Sequence, residues 1–136
     1  MEPMIERIGG EAKVHDLVEH FYDLIEALPQ GRAIMTKHLQ GHGLNHVRPA
    51  QFEFLCGFFG GRRYYQERHG HMNLREIHAH VDIRRQDAED WLAVMDMAMA
   101  DTGVVDPMKS QIAVTFRRAA LMLVNVGDTE ETVLLT

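Results

Sequence analysis

The sequence predicts an all-α domain, and three observations carry that prediction. Apolar residues recur at three- and four-residue spacing in four separate stretches, the period of helices that bury one face. No stretch alternates apolar and polar residues in the way a half-buried strand does. Glycine pairs and prolines punctuate the ends of the periodic stretches. The chain has 136 residues, which suits one domain with a sizeable core of its own.

The first long helix is expected over residues 11–28. Val14, Leu17, Val18, Phe21, Ile25 and Leu28 form its stripe, with Tyr22 at the edge. Gly9 and Gly10 break regular structure before it, and Pro29 and Gly31 end it. A short helical piece is expected over 32–38. Residues 39–46 read as a loop, since Gly41 and Gly43 disfavour a helix. A second long helix begins at Val47 with Pro49 in its first turn. It buries Val47, Ala50, Phe54, Leu55, Phe58 and Phe59, carries Gln51 on the same face, and stops at Gly60-Gly61. Residues 62–74 are polar and poorly periodic, and a brief segment over 75–80 follows. Asp87 is expected to cap a third long helix with Trp91, Leu92, Met95, Ala98 and Met99 inward. Pro107 opens the last helix, with Met108, Ile112, Thr115, Phe116, Ala119, Met122 and Leu123 inward. The domain is drawn over residues 1–126, and residues 127–136 are expected to form a loose tail. Short helices joined by uneven connections predict oblique packing in pairs rather than a long parallel bundle.

Composition excludes several function classes. The net charge is −6, and Arg62-Arg63, Arg84-Arg85 and Arg117-Arg118 are isolated pairs among carboxylates, so nucleic acid is not an expected partner. No apolar run approaches the ~18–20 residues of a membrane-spanning helix. The first residues lack a secretory signal pattern, which makes the cytoplasm the expected location. Cys56 is the sole cysteine, so no internal disulfide or cysteine-rich zinc site forms. Its neighbours Leu55 and Phe58 point to a buried, inert thiol. There is no nucleophile elbow and no phosphate-binding loop.

Three polar side chains, Tyr22, Gln51 and Trp91, project from apolar faces of three different helices. Cores use Tyr and Trp as bulk with a satisfied polar tip. A buried amide is costlier unless its donors and acceptor are matched. Converging, the three would make a polar pocket in an apolar surround, the usual form of a small-ligand site. Nine histidines are many for this length. His78 and His80 stand two apart, as do His69 and His71; on a helix such residues diverge by about 200°, so one of each pair at most faces inward. His38, His42 and His46 have the four-residue spacing of helical metal ligands, but Gly41 and Gly43 lie among them. On the residues alone, three readings stay open: a small-ligand pocket, a zinc-binding bundle, and a cofactor-free helical interaction domain.

The order of several short motifs narrows these readings. They are Ile8-Gly9-Gly10-Glu11, Phe21-Tyr22-Asp23-Leu24, Phe54-Leu55-Cys56-Gly57-Phe58-Phe59-Gly60-Gly61, Tyr65-Gln66-Glu67-Arg68-His69-Gly70-His71, His78-Ala79-His80 and Asp87-Ala88-Glu89-Asp90-Trp91-Leu92. Together they resemble a truncated haemoglobin of group II over roughly residues 5–126. A tryptophan thirteen positions after the histidine of the short segment is a particular mark of that group. The resemblance implies a shortened globin fold, a two-over-two helical sandwich around haem b. It implies His78 as the iron ligand and Tyr22 and Trp91 as hydrogen-bond donors on the opposite side. Gln51 and Phe54 would face the haem from the same helix, Val47 would sit at the gate, and His38 at the corner after the short second helix. Tyr65, His71 and Arg75 are the candidates to meet the haem propionates. Asp82 and Arg62 stand where relatives commonly carry proline.

The function implied is binding of dioxygen and related diatomic ligands such as carbon monoxide and nitric oxide. Bound dioxygen carries partial negative charge, which neutral donors stabilise. At ~0.5–1.5 kcal/mol per hydrogen bond, two or three donors can slow release by up to ~10²–10³-fold. That favours retention over simple transport, and oxygen, peroxide or nitric oxide chemistry would use the same site. A reductase partner, and a monomeric or homodimeric state, are also expected.

Overall fold

The computed structural model of the protein describes residues 3–31, 44–73 and 82–125. These form six α-helices: α1 (Met4–Ile8), α2 (Gly10–Ala27), α3 (Leu44–Phe58), α4 (Tyr64–His69), α5 (Arg85–Asp101) and α6 (Met108–Met122). A 3₁₀ turn over Pro29–Gly31 follows α2. No strand occurs among the described residues.

Helix α2 is central. It packs against α3 on one side and α5 on the other, while α6 packs against α5 and α4 against α3. The long helices therefore stand as two pairs, α2 with α3 and α5 with α6, joined where α2 meets α5. The reason lies in the stripe of α2: Val14, Leu17, Val18, Phe21, Tyr22 and Ile25 are all buried. A stripe that wide needs two partners to cover it. From α5, Ala88, Val94, Met95, Ala98 and Met99 are buried. From α6, Ile112, Phe116 and Ala120 are buried. No charged side chain is buried among the described residues.

Two glycines set how the short elements join the long ones. Gly9 has a φ of 118°, a left-handed conformation that lets α1 stop and α2 start at the next residue. Gly61 lies against α1, where a Cβ would sit 2.7 Å from Ile5 Cδ1 and 2.9 Å from the Cys56 carbonyl oxygen. The Ile5 N–H donates to the Phe59 carbonyl oxygen at 2.8 Å in the same corner. Only glycine permits backbones to approach this closely.

Several boundaries differ from the sequence expectation. Helix α3 begins at Leu44, three residues before Val47, so Pro49 lies inside it and not in its first turn. Residues 62–74 contain α4, which has six residues and too few apolar ones to show a period. Its Tyr64 and Tyr65 rings cover α3, packing on Phe52 at 6.3 Å and Phe54 at 5.5 Å between centroids. Helix α1 was likewise too short to read. Asp87 is not the N-cap of α5: the helix starts at Arg85, and the Asp87 carboxylate reaches back to accept the Arg84 N–H at 2.8 Å. This is the returning half of a capping box. On α6, Thr115 and Met122 are exposed, because the buried line runs through Ile112, Phe116 and Ala120. The expected pieces at 32–38 and 75–80 and the tail at 127–136 lie outside the described residues.

Candidate functional site

Four of the side chains singled out from the sequence, Tyr22, Trp91, Phe54 and Tyr65, fall along one aromatic path. Tyr22 on α2 has no exposed surface. Its ring meets Phe21 edge-on at 5.0 Å between centroids. Phe21 in turn meets the half-buried Trp91 of α5 at 5.3 Å. Trp91 packs edge-on against Phe116 of α6 at 5.4 Å, and Phe116 stacks on Phe58 of α3 at 5.5 Å. Phe58 stacks with Phe54 at 6.1 Å, and Phe54 meets Tyr65 of α4 at 5.5 Å. Each contact lies within the range where aromatic pairs attract beyond their area. All four long helices thus contribute a ring, and Tyr22, Trp91, Phe54 and Tyr65 are members.

The path shows why local pattern leads here. Phe21 and Tyr22 are adjacent, and neighbours on a helix point about 100° apart. A wide stripe nevertheless buries both, Phe21 toward α5 and Tyr22 beside α3. On α3, Val47 and Gln51 are one turn apart and both half-buried. Val47 packs against the core. His71 is half-buried after α4, and its Nδ1 accepts the Asn73 N–H at 3.1 Å. In the neutral ring this places the proton on Nε2, leaving that nitrogen a donor. His78, His38 and Arg75 lie outside the described residues, as do His80 and His42. Among the described residues no three metal-ligating side chains gather.

Burial shifts two titratable groups of this region, Tyr22 and Cys56. Burial pushes the Tyr22 phenol far above its ordinary value of 10.0, and Arg48 beside it lowers it only in part. Tyr22 is therefore a neutral donor at any physiological pH. Burial, with Glu11 and Glu53 adding to it, pushes the Cys56 thiol up to about 11. The buried, inert thiol expected from its neighbours is what the structure contains.

Sequence reasoning passed over Arg48, Phe58 and Phe116 as parts of this region. The two phenylalanines were legible as core and gave no sign of joining Trp91 to Phe54. Arg48 carried a fainter signal: Glu19, Asp23 and Glu26 recur at helical spacing on α2, a line of carboxylates awaiting a cation.

An all-helical domain of two paired layers, with a buried phenol and an indole on either side of one phenylalanine, has the form of a two-over-two globin. Comparison with known proteins agrees. Residues 4–125 match the family of bacterial-like globins. The group 2 truncated haemoglobin YjbI of Bacillus subtilis is 28% identical over 122 residues, covering 90% of this chain and 89% of that protein. The solved haemoglobin of Chloroflexus aurantiacus is 35% identical, with a TM-score of 0.80 over 93% of this chain and 100% of that one. The group II truncated haemoglobin of Bacillus anthracis is 31% identical, with a TM-score of 0.84 over 94% and 95%. The chain belongs to the bacterial-like globin family, among its group II truncated haemoglobins.

Membership brings haem as the cofactor. The residues present fit it. A porphyrin is a large flat apolar body that needs an aromatic and aliphatic wall with few charges, which the ring path and the charge-free core supply. The buried Tyr22 phenol beside this wall keeps its proton and adds no charge to it. The readings of a cofactor-free interaction domain and of a zinc bundle give way to this family assignment.

Proposed function

We propose that this protein binds dioxygen and related diatomic ligands on haem b and holds them with neutral hydrogen-bond donors, Tyr22 foremost. The observation that carries the reading is the Tyr22 phenol: fully buried, kept protonated, and linked through Phe21 to the Trp91 indole. In this reading His78 holds the iron, and the haem supplies reversible attachment of a diatomic gas. Tyr22 and Trp91 would supply the neutral hydrogen-bond donors toward a ligand held there. Gln51 and Val47, one turn apart on α3, shape the same side of the pocket, and Phe54 lines it; His38 completes its corner. Tyr65, Arg75 and His71, through its Nε2–H, meet the propionates at the rim. A hydroxyl is a suitable donor because it turns to follow its acceptor. An indole N–H is fixed by its ring and donates in one direction only.

The test is a dioxygen dissociation rate on the reduced, haem-loaded protein and on Tyr22→Phe and Trp91→Phe. Each substitution removes one donor and should speed release by about 2–10-fold, more where the loss leaves the other donor misaligned. Rates unchanged in both variants would refute retention by these residues. An absorption spectrum of His78→Ala, ferric and then reduced with carbon monoxide, tests the iron ligand: a histidine-ligated form persisting in the variant would assign it elsewhere.

A further inference from the structure

Arg48 stands on α3 between Val47 and Gln51, and its side chain is only 18% exposed. Arg62, Arg68 and Arg117, which also form ion pairs, are far more open, at 63%, 67% and 48%. Arg48 crosses to α2. Its Nη1 donates to the backbone carbonyl oxygen of Glu19 at 3.2 Å and to the Glu19 carboxylate. Its Nη2 donates to the Asp23 carboxylate at 3.1 Å and to that of Glu26 at 3.5 Å. The guanidinium carbon lies 5.7 Å from the centre of the Tyr22 ring.

One cation is thus held by a carbonyl, three carboxylates and an aromatic face, all from α2. A planar fork gripped from several sides fixes orientation as well as distance, which a flexible ammonium does not. Glu19, Tyr22, Asp23 and Glu26 span two turns of α2, so the grip is centred on the turn that carries Tyr22. Its other end is the turn of α3 that carries Val47 and Gln51. The spacing between these two turns sets how far the Tyr22 hydroxyl stands from whatever α3 places opposite it.

We propose that Arg48 is a positioning residue for ligand retention: it locks α3 to α2 beside Tyr22 and fixes the turn of α2 that carries Tyr22 relative to the turn of α3 that carries Val47 and Gln51. The inference rests on the role given to Tyr22 above.

The experiment uses the haem-loaded protein in five forms: wild type, Arg48→Met, Arg48→Lys, Tyr22→Phe and Arg117→Met. Dioxygen release is measured together with the carbon–oxygen stretching frequency of bound carbon monoxide, which reports donors near the ligand and is unmoved by a general loss of stability. Arg48→Met should speed release by about 2–10-fold, no more than Tyr22→Phe does, and shift the stretch toward that of Tyr22→Phe. Arg48→Lys keeps the charge, loses the fork and should fall between. Arg117→Met removes a pair that joins α6 to Glu89 on α5 and should change neither reading. Should Arg48→Met fail to fold, the combined Glu19→Gln and Asp23→Asn substitution cuts the same tie and should act likewise. If Tyr22→Phe speeds release while neither cut of the tie moves rate or stretch, the inference is overturned and the retention reading stands. If Tyr22→Phe changes nothing, both fall together.

Discussion

A phenol sealed among Phe21, Val18 and the other side chains of the core has no water to accept its negative charge, so it keeps its proton. This ties Tyr22 to stability as well as to ligand binding. In the unfolded chain the phenol titrates near 10.0; in the folded chain it titrates well above that value. Below pH 10 both states hold the proton and the group leaves stability unchanged with pH. Above it the unfolded state alone releases the proton, and stability falls as pH rises. Denaturant titrations at pH 8 and pH 11 on wild type and Tyr22→Phe check this: the alkaline loss should be smaller in the variant. An equal loss in both would show that Tyr22 ionises freely in the native state.

Helix α6 is tied to α5 and to the end of α3 through one ring, Phe116. It is 3% exposed and touches Trp91, Phe58 and Phe59 at 5.4, 5.5 and 5.7 Å between ring centres. Cutting it to alanine removes three ring contacts and opens a hole between two layers. Phe116→Ala should therefore cost about 3–5 kcal/mol, seen as a lower denaturation midpoint with unchanged slope. Val114, on the same helix, is 55% exposed. Val114→Ala should stay within about 0.5 kcal/mol of wild type. A cost below about 1 kcal/mol for Phe116→Ala would mean that the α5–α6 layer is not closed by this ring.

At the scale of the molecule, the two helix pairs meet where α2 packs on α5 and where Phe116 of α6 stacks on Phe58 of α3, so the aromatic path crosses from one pair to the other. A haem that bridges both pairs binds the folded state and has little to bind in the unfolded one. Hemin at a hundredfold excess over its dissociation constant should add about 2.7 kcal/mol and raise the Tm of the haem-free protein by roughly 10 °C. The rise should shrink in His78→Ala. A Tm indifferent to hemin would show that hemin does not bind the folded chain in preference to the unfolded one.

Much of this was legible before any coordinates. The four long helices announced themselves because burial on one face imposes a period on the residues, and Val14 to Ile25 or Met95 to Met99 could satisfy that period in only one way. Tyr22, Gln51 and Trp91 stood out as polar groups on apolar faces, and the ordered motifs pointed to the globin family that the comparisons confirm. Short elements escaped, since α1 and α4 have five and six residues and no room for a period. Helix ends shifted because Asp87 serves equally as a cap and as the third residue of a box, and only the backbone distinguishes the two. Above all, a one-dimensional pattern marks which faces are buried without saying which faces meet. That Phe21 stands between Tyr22 and Trp91, that Phe116 joins Trp91 to Phe58, and that Arg48 reaches Glu19 and Asp23 were decided by tertiary packing. The physical reason is that each of these contacts spans residues far apart in the chain, whose partners are chosen by shape and charge once the helices have paired.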